Sequence, residues 1–143
     1  MKQLSLFTRL FSGKEKPPKK LTEKRKQGDH AEDLALGYLQ KNKLVLLQKN
    51  FSITAGEVDL VLQDPQDDTL VFVEVRYRKN SDFGGAAASV TPKKQQRIIK
   101  AALAYQQKHA PQSSMRFDVV AIEGDNVTDN SNINWIKSAF DGF

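Results

Sequence analysis

Apolar and polar positions alternate with two different periods along the chain, and the switches between them mark out the elements. Ala31, Leu34, Ala35, Tyr38 and Leu39 recur at helical spacing and predict a helix from about Gly28 to Asn42. Leu44–Asn50 reads as an edge strand. Gly56–Gln63 and Thr69–Arg78 read as two strands joined across the turn sequence DPQDD. Thr91-Pro92 opens a second helix, with Thr as N-cap and Pro at the first helical position. Its stripe is Ile98, Ile99, Ala102, Leu103 and Tyr105, and it ends near His109. Met115–Ile122 is a further strand, and Trp135, Ile136 and Phe140 mark a terminal segment that packs back. Helix, strand, hairpin, helix and strand in that order predict an α/β domain with a mixed central β-sheet flanked by helices.

The strand VFVEVRYR breaks its own pattern. Side chains alternate across a strand, so Glu74, Arg76 and Arg78 share one face while Val71, Val73, Val75 and Tyr77 share the other. With the hairpin centred on Gln66-Asp67, Asp59 stands across from Glu74, and Glu57 across from Arg76. Directly opposed Cβ atoms lie about 5 Å apart, so Asp59 and Glu74 repel unless something is shared between them. A hard divalent cation, Mg²⁺ or Mn²⁺, resolves that repulsion. Glu32 adds a third carboxylate, projecting on the flank of its helix's apolar arc. The alternative is a cross-strand ion-pair ladder, Glu57 with Arg76, capping the end of the sheet.

Charge changes the picture only after it is divided. The 143 residues carry a net charge of +5. Residues 1–28 hold nine Lys/Arg against two Glu, so the remainder is slightly acidic. The basic character belongs to residues 1–27, rich in Lys and containing Pro17-Pro18, which read as a flexible basic tail preceding an α/β domain at 28–143. Within it Leu4, Leu6, Phe7, Leu10 and Phe11 form a short apolar helical face. The body keeps one basic segment, Arg76 to Lys100. It assigns Arg78, Lys79, Lys93, Lys94 and Arg97 to phosphate contact, beside the carboxylates, as a phosphodiester substrate requires. Gln95 either faces a phosphate from the helix start or is bonded to backbone in the core.

Several chemistries are set aside. Cysteine is absent, which excludes disulfides, thiolate metal sites and a cysteine nucleophile, and fits a cytoplasmic protein. No apolar run is long enough to span a membrane. His30 and His109 have no spaced partner for zinc or for a catalytic triad. Gly84-Gly85 lacks the spacing of a phosphate loop. Asp118 reads as an anchor for Arg116 or for a backbone amide.

The blocks GEVDLVLQD, LVFVEVRYR, FGGAAASVTPKKQQ and MRFDVVAI, in that order, resemble the bacterial YraN family of uncharacterised proteins. The resemblance runs from about Gly28 to Phe140. That family is similar to the restriction-endonuclease-like, or PD-(D/E)xK, nucleases, particularly the Holliday-junction-resolvase-like ones. The resemblance implies a restriction-endonuclease-like core, a Mg²⁺-dependent site for phosphodiester hydrolysis and a nucleic-acid partner, with DNA expected. It places Asp59 and Glu74 on the two acidic motif positions and Glu32 on the helical acidic position. Val58 stands where the motif has Pro, and Arg76 stands where it has Lys. Arg stays charged where Lys can lose a proton, so two other expectations stand beside the nuclease. One is a nucleic-acid-binding module with a decayed site. The other is a protein-interaction domain.

Overall fold

In a computed structural model of the chain, residues 22–78, 90–124 and 132–142 are described. Helix α1 (Glu23–Lys41) is followed by β1 (Val45–Ile53), β2 (Gly56–Asp64), β3 (Thr69–Arg78), helix α2 (Pro92–His109), β4 (Met115–Glu123) and β5 (Ile133–Phe140). The strands form one sheet in the order β1-β2-β3-β4-β5. Only β3 and β4 run parallel, with α2 in the connection between them. A parallel pair needs such a crossover, whereas the other pairs are antiparallel. The sheet is mixed and helix-flanked, consistent with a restriction-endonuclease-like core.

Each helix covers one face. Ile98, Ile99, Ala102 and Tyr105 of α2 pack with Val58, Val61, Leu70, Phe72, Phe117 and Val119. Ala31, Ala35 and Leu39 of α1 pack with Leu60, Leu62, Val71, Val73, Val120 and Ile122 on the other side. The period-2 pattern of β3 and β4 therefore sorts their side chains between two dry layers, and burial of these branched residues is the main stabilising term.

Helix α1 begins earlier than its apolar stripe. The stripe predicts a start at Gly28, but the helix starts at Glu23, with Thr22 as N-cap accepting the Arg25 N–H at 3.2 Å. The cap satisfies an otherwise orphaned amide and adds five residues, a little over one turn, that need no core. Residues 22–27 of the expected tail are thus cap and helix. Residues 1–21, with the apolar face at Leu4–Phe11, lie outside the described residues, as does the loop 79–89, including Lys79 and Gly84-Gly85. Helix α2 starts as its sequence predicts, with Thr91 Oγ1 accepting the Lys94 N–H. The terminal segment is an edge strand on β4.

Gly56 sets how closely α2 approaches. It is buried at the start of β2, where a Cβ would overlap the carbonyl oxygen of Arg97. Only hydrogen fits there. That contact lays the first turns of α2 along the β2 residues that follow Gly56.

Candidate functional site

The β2–β3 ladder runs from Asp64↔Thr69 to Leu60↔Val73, in the register predicted from the turn. It stops one step before Asp59 and Glu74. Beyond Leu60 the alternation of β2 also changes phase. Leu60 and Leu62 face α1, Val61 faces α2, and Val58 faces α2 as well. Strict alternation would put Val58 with Leu60, so the strand turns at Asp59. Its neighbour turns too. Asn50 falls between the pairs Lys49↔Leu60 and Phe51↔Val58, opposite Asp59, and has φ 52°. Asn is one of the few residues that enters this left-handed region readily.

The fork between β2 and β3 is where the chemistry collects. Asp59 Oδ2 accepts the Val75 N–H at 2.8 Å. A cavity of about 300 Å³ opens there, and Glu32, Asp59, Glu74 and Arg76 all line it, with Lys24, Gln27 and Tyr77. The four residues picked out at the motif positions are thus brought together. Glu32 comes from the third turn of α1, Asp59 from the turned strand, and Glu74 and Arg76 from the end of β3.

Electrostatics at the fork are unbalanced toward negative charge. Glu74 is buried, only 3% exposed, and its carboxyl is raised to about 8, first by burial and then by the nearby Asp59 charge. Glu32 is raised to about 7 for the same two reasons, partly offset by a hydrogen bond with Asn50. Burial also raises Asp59, against the lowering effects of the Val75 amide, Glu74, Lys94 and Glu32. The basic groups are close without being in ideal contact. Arg76 NH1 lies 3.5 Å and Lys94 Nζ 3.8 Å from Glu74 Oε1. Glu74 Oε2 is buried with no hydrogen-bond partner. When Glu74 is protonated it can donate to Asp59. When both are ionised, that oxygen has no donor, and a buried charge without a partner is costly.

The ladder alternative fails on partners. Glu57 does not pair with Arg76. Its Oε1 takes Lys94 Nζ at 3.1 Å and its Oε2 takes Arg97 NH2 at 2.9 Å, both from α2. These contacts, Arg97 first, hold the Glu57 carboxyl below the usual range. Lys94 is therefore shared between Glu57 and Glu74. Of the other candidate phosphate contacts, Arg78 and Lys93 are exposed. Gln95 donates to the Val90 carbonyl at 3.1 Å, which is its backbone-bonded alternative.

A divalent cation can be tested against this donor set. Among the described residues no group of three His, Cys, Asp or Glu is disposed to hold a metal ion as the side chains stand. Asp59 and Glu74 nevertheless offer two hard oxygen donors beside a buried oxygen that lacks any donor, and Mg²⁺ accepts two carboxylates while keeping several waters. With no ion bound, Glu74, raised to about 8, keeps its proton at neutral pH.

Three contributors were not legible as site residues. Asn50 carries the left-handed turn and bonds Glu32; the polar run Gln48-Lys49-Asn50 within the strand was its signal. Lys24 and Gln27 line the cavity because α1 starts at Glu23; the Thr22 cap was theirs. Away from the site, Asp118 is fully buried and accepts from Arg116 Nε and NH2, Trp135 Nε1 and the Ser138 amide. It anchors Arg116 and β5. A second cavity of about 320 Å³ lies at that opposite end of β4, lined by Met115, Arg116, Phe117 and Phe140. Its Arg116 is already bound by Asp118 and Asp64, so it offers less to a ligand than the fork does.

Fold and fork define an α/β protein with a carboxylate-rich cleft between two splayed strands. The family model described as "Uncharacterised protein family UPF0102" matches residues 31–122, and the chain belongs to this family, the YraN family of the resemblance. It is 50% identical over 114 residues to the UPF0102 protein of Herminiimonas arsenicoxydans, covering 80% of this chain and 86% of that one. With the Nitrosomonas europaea member the identity is 46% over 115 residues, covering 80% and 93%. With the Coxiella burnetii member it is 48% over 118 residues, covering 81% and 92%. The matched region contains Glu32, Asp59, Glu74, Arg76 and Lys94, and leaves out β5 and the first turns of α1.

Proposed function

We propose that this protein binds nucleic acid, DNA foremost, and that the fork is a divalent-metal-dependent site for phosphodiester hydrolysis. The observation that supports this reading is the buried, partnerless Glu74 Oε2 in a cavity shared with Asp59 and Glu32. Asp59 and Glu74 would hold Mg²⁺ or Mn²⁺, and Glu32 would orient water at its edge. Such an ion, when bound, supplies an activated water and neutralises charge on a phosphate. The chain's own residues do the rest. The Val75 amide fixes the Asp59 carboxylate so that it need not reorganise. Arg76 remains charged and can take two phosphate oxygens at once. Lys24 stands on the cavity wall and Arg78 and Lys93 lie exposed on the strand and helix ends, where they can follow the backbone of a polyanion. No helix among the described residues is long and apolar enough to cross a membrane, and a cytoplasmic location goes with the same reading.

A second reading rests on Arg76 itself. A guanidinium cannot exchange a proton at neutral pH, so the fork can serve as a binding site without turnover. Purified protein titrated with Mn²⁺, then incubated with branched, single-stranded and duplex DNA, separates the two. The enzyme reading expects Mn²⁺ binding that Glu74→Gln weakens at least tenfold, and cutting that Glu74→Ala and excess chelator both abolish. Metal and DNA binding without cutting supports the module. Absence of both would leave a protein-interaction domain.

A further inference from the structure

Lys94 lies on α2, beside a strand that carries Arg76 where the motif has Lys. Its ammonium lies 3.1 Å from Glu57 Oε1 and 3.8 Å from Glu74 Oε1, so it bridges an outer and an inner carboxylate. Its main chain is fixed by the Thr91 cap and by the close seat of α2 on Gly56. The two carboxylates hold it unequally. Glu57 keeps Arg97 on its other oxygen at 2.9 Å, so it remains satisfied whatever Lys94 does. Glu74 is the poorer partner: its contact with Lys94 is too long for a hydrogen bond, and its second oxygen has none.

From this geometry we infer that Lys94 is a tethered counter-ion of the fork, displaced from Glu74 by a divalent cation and thereby released to a substrate phosphate. The inference rests on the proposed metal site and adds a residue to it. Arg76 and Lys94 already share Glu74 Oε1, at 3.5 and 3.8 Å. A divalent ion added there repels both, has the stronger claim on a carboxylate pair, and displaces the longer and more flexible contact, that of Lys94. Lys94 has somewhere to go. A lysine stem rotates freely, and swinging toward the cleft costs it a contact that Arg97 continues to supply to Glu57. The strand position held by Arg76 thus needs no lysine, because the helix delivers one from the other side.

Mn²⁺ affinity, read by the loss of free-ion paramagnetic signal at pH 8.5, tests the exchange without any cleavage. Lys94→Met should bind Mn²⁺ about tenfold more tightly than wild type, the effect of one unit charge on a nearby divalent ion. Lys94→Arg should bind as wild type does. Lys108→Met, at the far end of α2, removes the same net charge and should change nothing. Equal affinity in wild type and Lys94→Met, or weaker binding in the variant, would overturn the exchange while leaving the metal site standing. No binding in either protein would overturn both. The release is tested by affinity for a fluorescent branched DNA in Ca²⁺ and in chelator. Ca²⁺ should tighten binding by wild type severalfold, and Lys94→Met should lose that gain. An undiminished gain in the variant would remove Lys94 from phosphate contact, and no DNA binding by wild type would remove the nucleic-acid reading as well.

Discussion

Asp59 and Val75 are joined by a side-chain-to-backbone hydrogen bond of 2.8 Å, one residue beyond Leu60 in β2 and two beyond Val73 in β3, the last paired residues. The bond lets the two strands part without stranding an amide, and it points the Asp59 carboxylate into the gap it helps to open. A carboxylate so fixed cannot turn away from Glu74 or Glu32. The result is stored repulsion at a place where the fold has no need of charge, and the first consequence is a stability that depends on pH.

Glu74→Gln should stabilise the protein at alkaline pH. The sign follows from proton binding: Glu74 is raised from 4.5 to about 8 and Glu32 to about 7 in the folded state. Between 4.5 and 8 the folded chain therefore binds more protons than the unfolded one, and stability falls as pH rises through 7 and 8. Urea melts at pH 5 and pH 8.5 should show the variant near wild type at the lower pH and about 1–3 kcal/mol more stable at the higher. Mn²⁺ at pH 8.5 should recover part of that difference for wild type alone. A variant that is destabilised equally at both pH values would mean Glu74 is not strained by its neighbours.

Gly56→Ala should cost about 2–4 kcal/mol, the range of an overpacked and shifted buried contact. Its Cβ would collide with the Arg97 carbonyl, which belongs to helix backbone and cannot rotate away. Thermal melts give the cost. The same displacement should draw Lys94 and Arg97 away from Glu57, so the salt dependence of DNA binding should change with it. A variant as stable as wild type would show that α2 can lift off β2 freely.

The fold was legible because its elements obey their periods. Val71, Val73 and Phe72 alternate cleanly, Ile98 and Ala102 keep helical spacing, and the DPQDD turn fixed the register that Leu60↔Val73 displays. The pairing of Asp59 with Glu74 at one cleft followed from that register and from the motif resemblance. What escaped was local backbone geometry. No alternation rule announces that β1 and β2 turn together at Asn50 and Asp59, since a phase break looks like noise in a period-2 pattern. Thr22 was outweighed by the lysines around it, because charge density speaks of solvation and says little about a cap. Lys94 looked like one more phosphate contact, and only the seat of α2 on Gly56 makes it a neighbour of Glu74.

Asn50 gives a cleaner separation of backbone and side-chain roles. Asn50→Gly keeps the left-handed φ without its steric cost, whereas Asn50→Ala must pay about 1 kcal/mol to hold φ at 52°. Both remove the hydrogen bond that lowers the Glu32 pKa. Carboxyl titration by NMR should therefore find Glu32 higher than in wild type in either variant, while only Asn50→Ala loses the extra stability. Glu32 unmoved in Asn50→Gly would leave Asn50 with a backbone role alone.

Arg76→Lys restores the residue that the resemblance to the nuclease superfamily implies at this position, and on the proposed enzyme reading it is expected to reduce cleavage. Arg76 NH1 lies 3.5 Å from Glu74 Oε1 and the side chain is partly buried, so the planar fork is held near the carboxylate it must complement. A lysine there would place a second flexible ammonium beside that of Lys94 and remove the bidentate grip of the guanidinium. Single-turnover cleavage in Mg²⁺ should fall about five- to tenfold, the loss of roughly one charge-assisted hydrogen bond in the transition state. Mn²⁺ affinity should stay near that of wild type, since the charge is unchanged. Faster cleavage by Arg76→Lys would mean that arginine is a compromise and that Lys94 does not reach the substrate.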